Sequence, residues 1–281
     1  MSNLVADPAE VKNAMTHIKG IQVPSPPALL LSISNELAQS EPDKKKIIAQ
    51  INEDIALSGK ILQIINSPAY GLRNKVKSVD HATNLLGLPR LKTQVIAGAL
   101  RYALERALAG FEAISEYSHC VGVAAQLIAK NTEDLSEEDA YIAGLFHEAG
   151  TMMMLQLFAD YNDVYSQNRS QPFSFIELEK ANYSVTHPVI GFMLGYRWKL
   201  ANNVCNAIYC SHYHLADVDE SIQLLLASVH MGIHLANENI LGLTCEEDEE
   251  CYVILRDAME KLNLDDDALD KLTEDFNEAI A

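Results

Sequence analysis

The sequence predicts an all-α protein. Apolar residues recur at three- and four-residue spacing along nearly the whole chain, no stretch shows convincing strand alternation, and capping residues punctuate the periodic segments. With 281 residues, 48% of them hydrophobic and 21% charged, the composition is that of an ordinary globular protein able to bury a sizeable core.

The elements follow in order. The first twenty residues are expected to form a short helical segment. "SPPALLLSISNELAQS" offers Ser25 as a cap, with prolines in the first turn, where a missing N–H costs nothing. "KKKIIAQINEDIALSGKILQIINS" carries two apolar stripes that break near Asn52–Asp54. "NSPAYG" reads as a structural corner, because Pro68 cannot continue a helix and Tyr70 can pack beneath the turn. "SVDHATNLLG" runs from a Ser78 cap to Gly87, and Pro89 opens a longer helix through about Ala107. Further helices are expected at roughly 111–130, 137–158, 174–182, 187–197, 201–213, 219–239, 249–262 and 266–279. The weakest join is "ALAGFEAIS" at 107–115, which separates an N-terminal helical subdomain (21–107) from a second one (111–240). An acidic helical extension occupies 241–281.

The net charge of −18 is unevenly distributed. Residues 246–281 hold fourteen acids against Arg256, Lys261 and Lys271, a balance of −11. Residues 44–106 hold eleven Lys and Arg against four acids, a balance of +7 that reads first as a solvated helix surface. Overall acidity argues against non-specific nucleic-acid binding. No apolar run approaches the roughly 18 residues of a membrane span, and the N-terminus lacks the basic start and apolar core of a secretory signal. Five cysteines without a Cys-x-x-Cys pair suit buried thiols in a reducing compartment, so the expected location is cytoplasmic. In the acidic extension, Val253, Ile254, Met259, Leu262, Leu269, Leu272 and Phe276 form an apolar stripe. That pattern predicts amphipathic helices with a face to bury, either on the basic stretch or on the second subdomain, the latter being favoured.

One stretch poses a chemical question. "AGLFHEAG" at 143–150 places His147 and Glu148 side by side on an otherwise small and apolar segment. Two ionisable groups there cost free energy unless paired, hydrogen-bonded or bound to metal. A zinc protease would need His-Glu-x-x-His, with imidazoles four apart on one helix face, but Thr151 holds the second place.

Several motifs in order resemble the HDOD domain, a bacterial relative of the HD phosphohydrolases. They are "IQVPSPPALLL", "NSPAYG" and "SVDHATNLLGLPRLKTQVIAGAL", then "AGLFHEAG" and "THPVIGFMLGYRWKLANNVCNAIYCSHYH". The resemblance spans roughly Ile21 to His214 and implies an N-terminal helical subdomain packed with an HD-like one. It also implies where a metal-dependent phosphohydrolase would keep its ligands. His119 matches the first histidine and His147 the second, while Glu148 stands where Asp belongs. Asn237 takes the place of the final Asp, and His187 and His212 fall near the extra histidines of two-metal relatives. The Lys that HD-GYP phosphodiesterases carry is Thr151 here, and their Gly-Tyr-Pro signature is absent.

These departures weaken a metal site. Glu for Asp displaces the carboxylate by about an ångström where ligand distances tolerate roughly ±0.2 Å. Asn for Asp removes a negative charge, and loss of the Lys removes a cation that could stabilise phosphoryl charge. The expectation is therefore a non-catalytic regulatory protein of signal transduction that binds a protein or a small signalling ligand, with no metal or cofactor. The alternative is a divalent-metal phosphohydrolase acting on a nucleotide or cyclic dinucleotide, with His119, His147, Glu148 and His187 as ligands. The structural reading of His147 and Glu148 is a buried hydrogen-bonded cluster with His119 or His187 that fixes helix packing. His212 and His214 are two apart and should face different ways, whereas His230 and His234, four apart, share a face.

Overall fold

The computed structural model describes residues 5–18, 28–37, 39–70, 72, 74–107, 112–168, 172–244 and 249–281, and all regular structure among them is helical. Contacts divide the chain into two compact units, one made of Met1–Val23 with Glu112–Phe276, the other of Pro24–Phe111 with Asn277–Ala281. The N-terminal segment thus belongs with the HD-like unit.

The smaller unit packs α2 (Ala28–Leu37), α3 (Lys44–Glu53) and α4 (Ile55–Ile65) against α5 (Val79–Ala107). Asp54 makes the break between α3 and α4: its N–H donates to the Ile51 carbonyl, and its carboxylate accepts the Leu57 N–H at 3.0 Å. At the corner that follows, Pro68–Tyr70 forms a 3-10 turn. Asn66 braces this corner, donating to the carbonyls of Leu62 and Val76 and accepting the Val76 N–H at 2.7 Å. The Ser78 hydroxyl accepts the His81 N–H as expected of a cap. Gly87, at φ 77°, divides α5 where the sequence predicts a helix end, because that left-handed backbone suits a residue without Cβ. The expected Ser25 cap lies outside the described residues.

In the larger unit, α1 (Pro8–His17) is followed by α6 (Glu112–Lys130), α7 (Glu137–Phe146), α8 (Ala149–Leu157), α9 (Tyr161–Asn168) and α10 (Pro172–Tyr183). Then come α11 (His187–Arg197), α12 (Asn202–Tyr209), α13 (Glu220–Ala236), α14 (Glu249–Lys261) and α15 (Asp266–Ile280). The core is the α6–α7–α13 layer. There α6 and α7 cross at two glycines: a Cβ on Gly144 would lie 2.7 Å from the Gly122 Cα. Helix α1 packs on α11, and the hydroxyl of Tyr209 on α12 accepts the Asp7 N–H and donates to Glu10 at 2.7 Å.

Three expectations are corrected. The single helix expected over 137–158 is two helices, interrupted at His147–Glu148. The His147 ring bonds the Gly144 carbonyl, the acceptor that the next residue's amide would use in a continuous helix. Helix α9 occupies a stretch too polar to suggest one, and it is held by the buried Tyr161 and Tyr165. Of the five cysteines, Cys120, Cys205 and Cys210 are buried thiols, but Cys251 is disulfide-bonded. Among the described residues no helix is long and apolar enough to cross a membrane.

The acidic extension is held to the HD-like unit by α14. Helix α14 runs along α13 and touches the 3-10 turn Leu215–Asp217. Ile254, Met259, Leu262, Leu272 and Phe276 are buried as the stripe predicts, whereas Val253 is 41% exposed and faces solvent. Each buried side chain of this size contributes about 1.5–3 kcal/mol, against roughly 0–1 kcal/mol for an exposed ion pair such as Arg256–Asp266. Deleting residues 249–281 is therefore expected to lower the melting temperature by many degrees and to raise binding of an apolar dye. A truncated chain that melts like the full one would show the docking to be energetically idle.

Candidate functional site

The candidate residues meet around the break between α7 and α8. His147 ends α7 and Glu148 starts α8, while His187 is the first residue of α11 and His212 lies just past α12. Gly150 brings the first turn of α8 against the start of α11: a Cβ on it would fall 1.8 Å from the His187 carbonyl oxygen. Only glycine permits this approach, which sets His147 and Glu148 beside His187.

At the centre is a carboxylate that the sequence reading passed over. Glu179 on α10 is fully buried. It accepts the Tyr161 hydroxyl, the His187 backbone N–H at 3.1 Å and the His187 Nδ1–H at 2.9 Å. The other nitrogen of His187, Nε2, lies 2.9 Å from Nε2 of His212. Burial alone would depress the His187 pKa, but the charge and hydrogen bonds of Glu179, with Glu148 behind, hold it above the ordinary histidine value. His212 is pushed well down, by burial first and by His187 next. Neutral His212 and His187 share one proton across this bond, and its direction is set by the protonation of His187. Glu179, His187 and His212 thus form one hydrogen-bonded chain. Phe175 stacks on the His187 ring, with centroids 6.0 Å apart. A sequence signal for Glu179 existed: it lies four residues from both Phe175 and Tyr183, on the aromatic and buried face of its helix.

The remaining candidates have their own partners. His147 donates from Nδ1 to the Gly144 carbonyl, leaving a buried Nε2 with no hydrogen-bond partner, 3.9 Å from Glu148 Oε1. Oε2 of Glu148 is also buried without a partner. Burial depresses the His147 pKa, only partly opposed by Glu148. His119, one turn before the Gly122 crossing, bonds through Nδ1 to the Tyr141 hydroxyl at 3.0 Å. Asn237, at the end of α13, accepts the Tyr117 hydroxyl at 2.8 Å, and the Tyr117 ring in turn lies 5.7 Å from that of His147. Asn237 therefore connects to His147 through Tyr117. His214 turns to Glu250, His230 donates to the Ser211 carbonyl, and His234 faces Glu238.

This donor set does not fit the metal that the HD chemistry requires. An imidazole has two nitrogens, and those of His187 are both engaged, one by Glu179 and one by His212. His147 Nε2 and the Glu148 carboxylate remain, short of the six oxygen-rich ligands that a hard divalent cation prefers. Among the described residues no three His, Cys, Asp or Glu groups are arranged to hold a metal ion. What the cluster supplies is a buried carboxylate bonded in series to two imidazoles.

Two predictions follow from this geometry. Gly150→Ala must force α8 and α11 apart, so it should destabilise by about 3 kcal/mol, the upper end of ordinary overpacking; an unshifted denaturation midpoint would contradict the close approach. The second concerns pH. His147, His212 and His230 have depressed values in the fold, that of His230 down to about 4 through burial. The unfolded chain therefore binds more protons below about pH 6.5, and the stability these residues hold at neutral pH is lost on acidification. His187 acts oppositely: its contribution is present below about pH 6.5 and is lost as pH rises through its raised value. His234 is depressed by burial as well, so four outweigh one and the melting temperature should fall between pH 7 and 5. His230→Gln should flatten that fall by about 2 kcal/mol, because about 1.5 pH units at about 1.4 kcal/mol each lie between its unfolded value and pH 5, and an unchanged pH profile would refute the assignment.

Comparison with known proteins agrees with the architecture. An uncharacterized protein from Treponema pallidum (strain Nichols) is 24% identical over 212 residues, covering 74% of this chain and 40% of its own length. The chain thus spans less than half of that relative. A solved HDOD domain protein of unknown function from Geobacter sulfurreducens superposes with a TM-score of 0.72 at 19% identity, over 96% of this chain and 98% of its own. A Shewanella amazonensis structure with a provisional phosphohydrolase name gives 0.71 at 19% identity, covering 94% and 93%. One from Marinobacter aquaeolei, provisionally named for signal transduction, gives 0.71 at 18%, covering 99% and 66%. At these identities the structures speak for the fold alone. The model of the HDOD domain matches residues 23–214, well over half of the sequence, and the chain accordingly belongs to the HDOD domain family.

Proposed function

We propose that this protein is a non-catalytic regulatory module of bacterial signal transduction, acting in the cytoplasm by binding a protein or a small signalling ligand. The observation that carries this reading is the bond between Nε2 of His187 and Nε2 of His212 at 2.9 Å. A histidine that would ligate metal in a catalytic relative is engaged here by another imidazole, with Glu179 behind it. The neutral Asn237 and the uncharged Thr151 support the same reading, because neither replaces the charge a phosphoryl-transfer site needs. Overall acidity speaks against nucleic acid as the partner.

A second reading draws on the unpartnered His147 Nε2 and Glu148 Oε2. These two atoms could hold a divalent metal weakly, as in a phosphohydrolase of nucleotides or cyclic dinucleotides. One experiment separates the two. Protein purified without chelator is expected to carry far less than one metal per chain, and to show no hydrolysis of a nucleotide and cyclic-dinucleotide panel with added manganese. Turnover that disappears in His147→Ala would overturn the regulatory reading in favour of the phosphohydrolase.

A further inference from the structure

The acidic extension and the end of α6 enclose a cavity that the histidine cluster does not touch. It has a volume of about 790 Å³ and lies between the end of α6 and its following loop, the start of α13, and the turn joining α14 to α15. Small-molecule sites commonly run to about 300–1,000 Å³. A shallower groove of about 560 Å³ continues from it along α14, sharing Leu224 and Lys261. Leu127, Leu224 and Leu264 line the cavity and are only half-buried, so apolar surface faces the space.

Around this apolar floor stand Lys130, Lys261 and Lys271. Among the described residues none of the three has an ion-pair partner, in a chain with 39 acidic against 21 basic residues. Lys130 and Lys261 occupy the last turns of α6 and α14, where a cation also offsets the carbonyl end of a helix. Lys271 has no such reason, because it lies in the N-terminal half of α15. Asp267 and Asp275 stand four residues to either side of it, yet it pairs with neither. Two of the three cations in the most acidic part of the chain thus border one cavity, joined there by a third from α6.

We infer that this cavity binds a small organic anion with an apolar body, a carboxylate carried on an aliphatic chain. The head group lies among the three lysines and the chain runs over the leucine floor. A single negative charge fits best: Glu133 and Asp275 also line the cavity and leave its lysines in excess by one, while the adjoining groove adds Asp257 and Glu260, so the head group belongs in the cavity and not in the groove. A phosphate dianion would exceed that balance and meet the two carboxylates. The inference uses none of the histidine cluster, so its failure leaves the regulatory reading untouched.

The test is calorimetric titration of the full chain with decanoate, decanamide and adenosine monophosphate at low salt. Decanoate should bind, with decanamide and the nucleotide at least about tenfold weaker, the scale expected for losing a charge-assisted contact. Lys261→Gln with Lys271→Gln should lower decanoate affinity about tenfold without moving the melting temperature, while Lys180→Gln, whose lysine pairs with Glu177 elsewhere, should change nothing. Should the double variant melt lower, amide shifts in the unaltered protein decide: they must cluster at 127–133 and 261–275. Absence of decanoate binding at millimolar concentration, equal affinity for decanamide, tighter binding of the nucleotide, or shifts elsewhere would overturn the inference.

Discussion

A buried carboxylate is the constraint on which the HD-like half of this protein turns. Glu179 has no access to water, and an uncompensated charge in that position would cost several kcal/mol. It is compensated by three donors drawn from two other elements: Tyr161 from α9, and the backbone and ring of His187 from α11. The second ring nitrogen of His187 then bonds His212, beyond α12. One charge consequently fixes the mutual placement of α9, α10, α11 and the segment after α12. Breaking any of these bonds would leave a buried ion without its partner, which is far less tolerable than losing an apolar contact of the same size.

The same constraint decides what the old metal position can do. Sequence comparison weighs a degenerate site by which ligands have changed type, and here it points at Glu148, Asn237 and Thr151. The geometry adds a different reason, which residue type alone cannot convey. His187 is a perfectly good ligand by identity, yet its two nitrogens face a carboxylate and a second imidazole. Asn237 is likewise engaged by Tyr117, which ties the end of α13 to α6. His147 and His187 are buried, and their shifted pKa values couple protonation to folding.

Much of the fold was legible because its signals are local. Asp54, Ser78 and Gly87 each end or begin a helix through their own side chain or backbone, so reading them needs no knowledge of distant contacts. The errors have equally physical causes. The break at His147–Glu148 is invisible to periodicity, since the apolar pattern continues across it and only the ring bond to Gly144 marks it. Helix α9 owes its place to two buried tyrosines in a polar segment. Glu179 sits among Glu177 and Lys180, which are solvated, and a buried acid looks the same in sequence as an exposed one. Local propensity specifies where helices start and stop; which of these polar side chains is buried is settled by partners eight to twenty-five residues away.

The acidic extension shows how far the fold runs beyond the family match at residue 214. Helix α13 is apolar on more than one side, burying Ile222, Leu225, Leu226, Val229, Met231 and Leu235. Helices α6, α7 and α12 cover part of that surface, and α14 covers another. A helix apolar around most of its circumference is stable in water only when enclosed. Were α14 absent, α13 would expose an apolar strip along its length. The charge of the extension therefore does not hold it in place, since its acids repel one another and gain little from isolated surface pairs. Its acidity instead marks the solvated side of helices whose other side completes the core, which is why a segment carrying −11 belongs to the compact HD-like unit through Phe276.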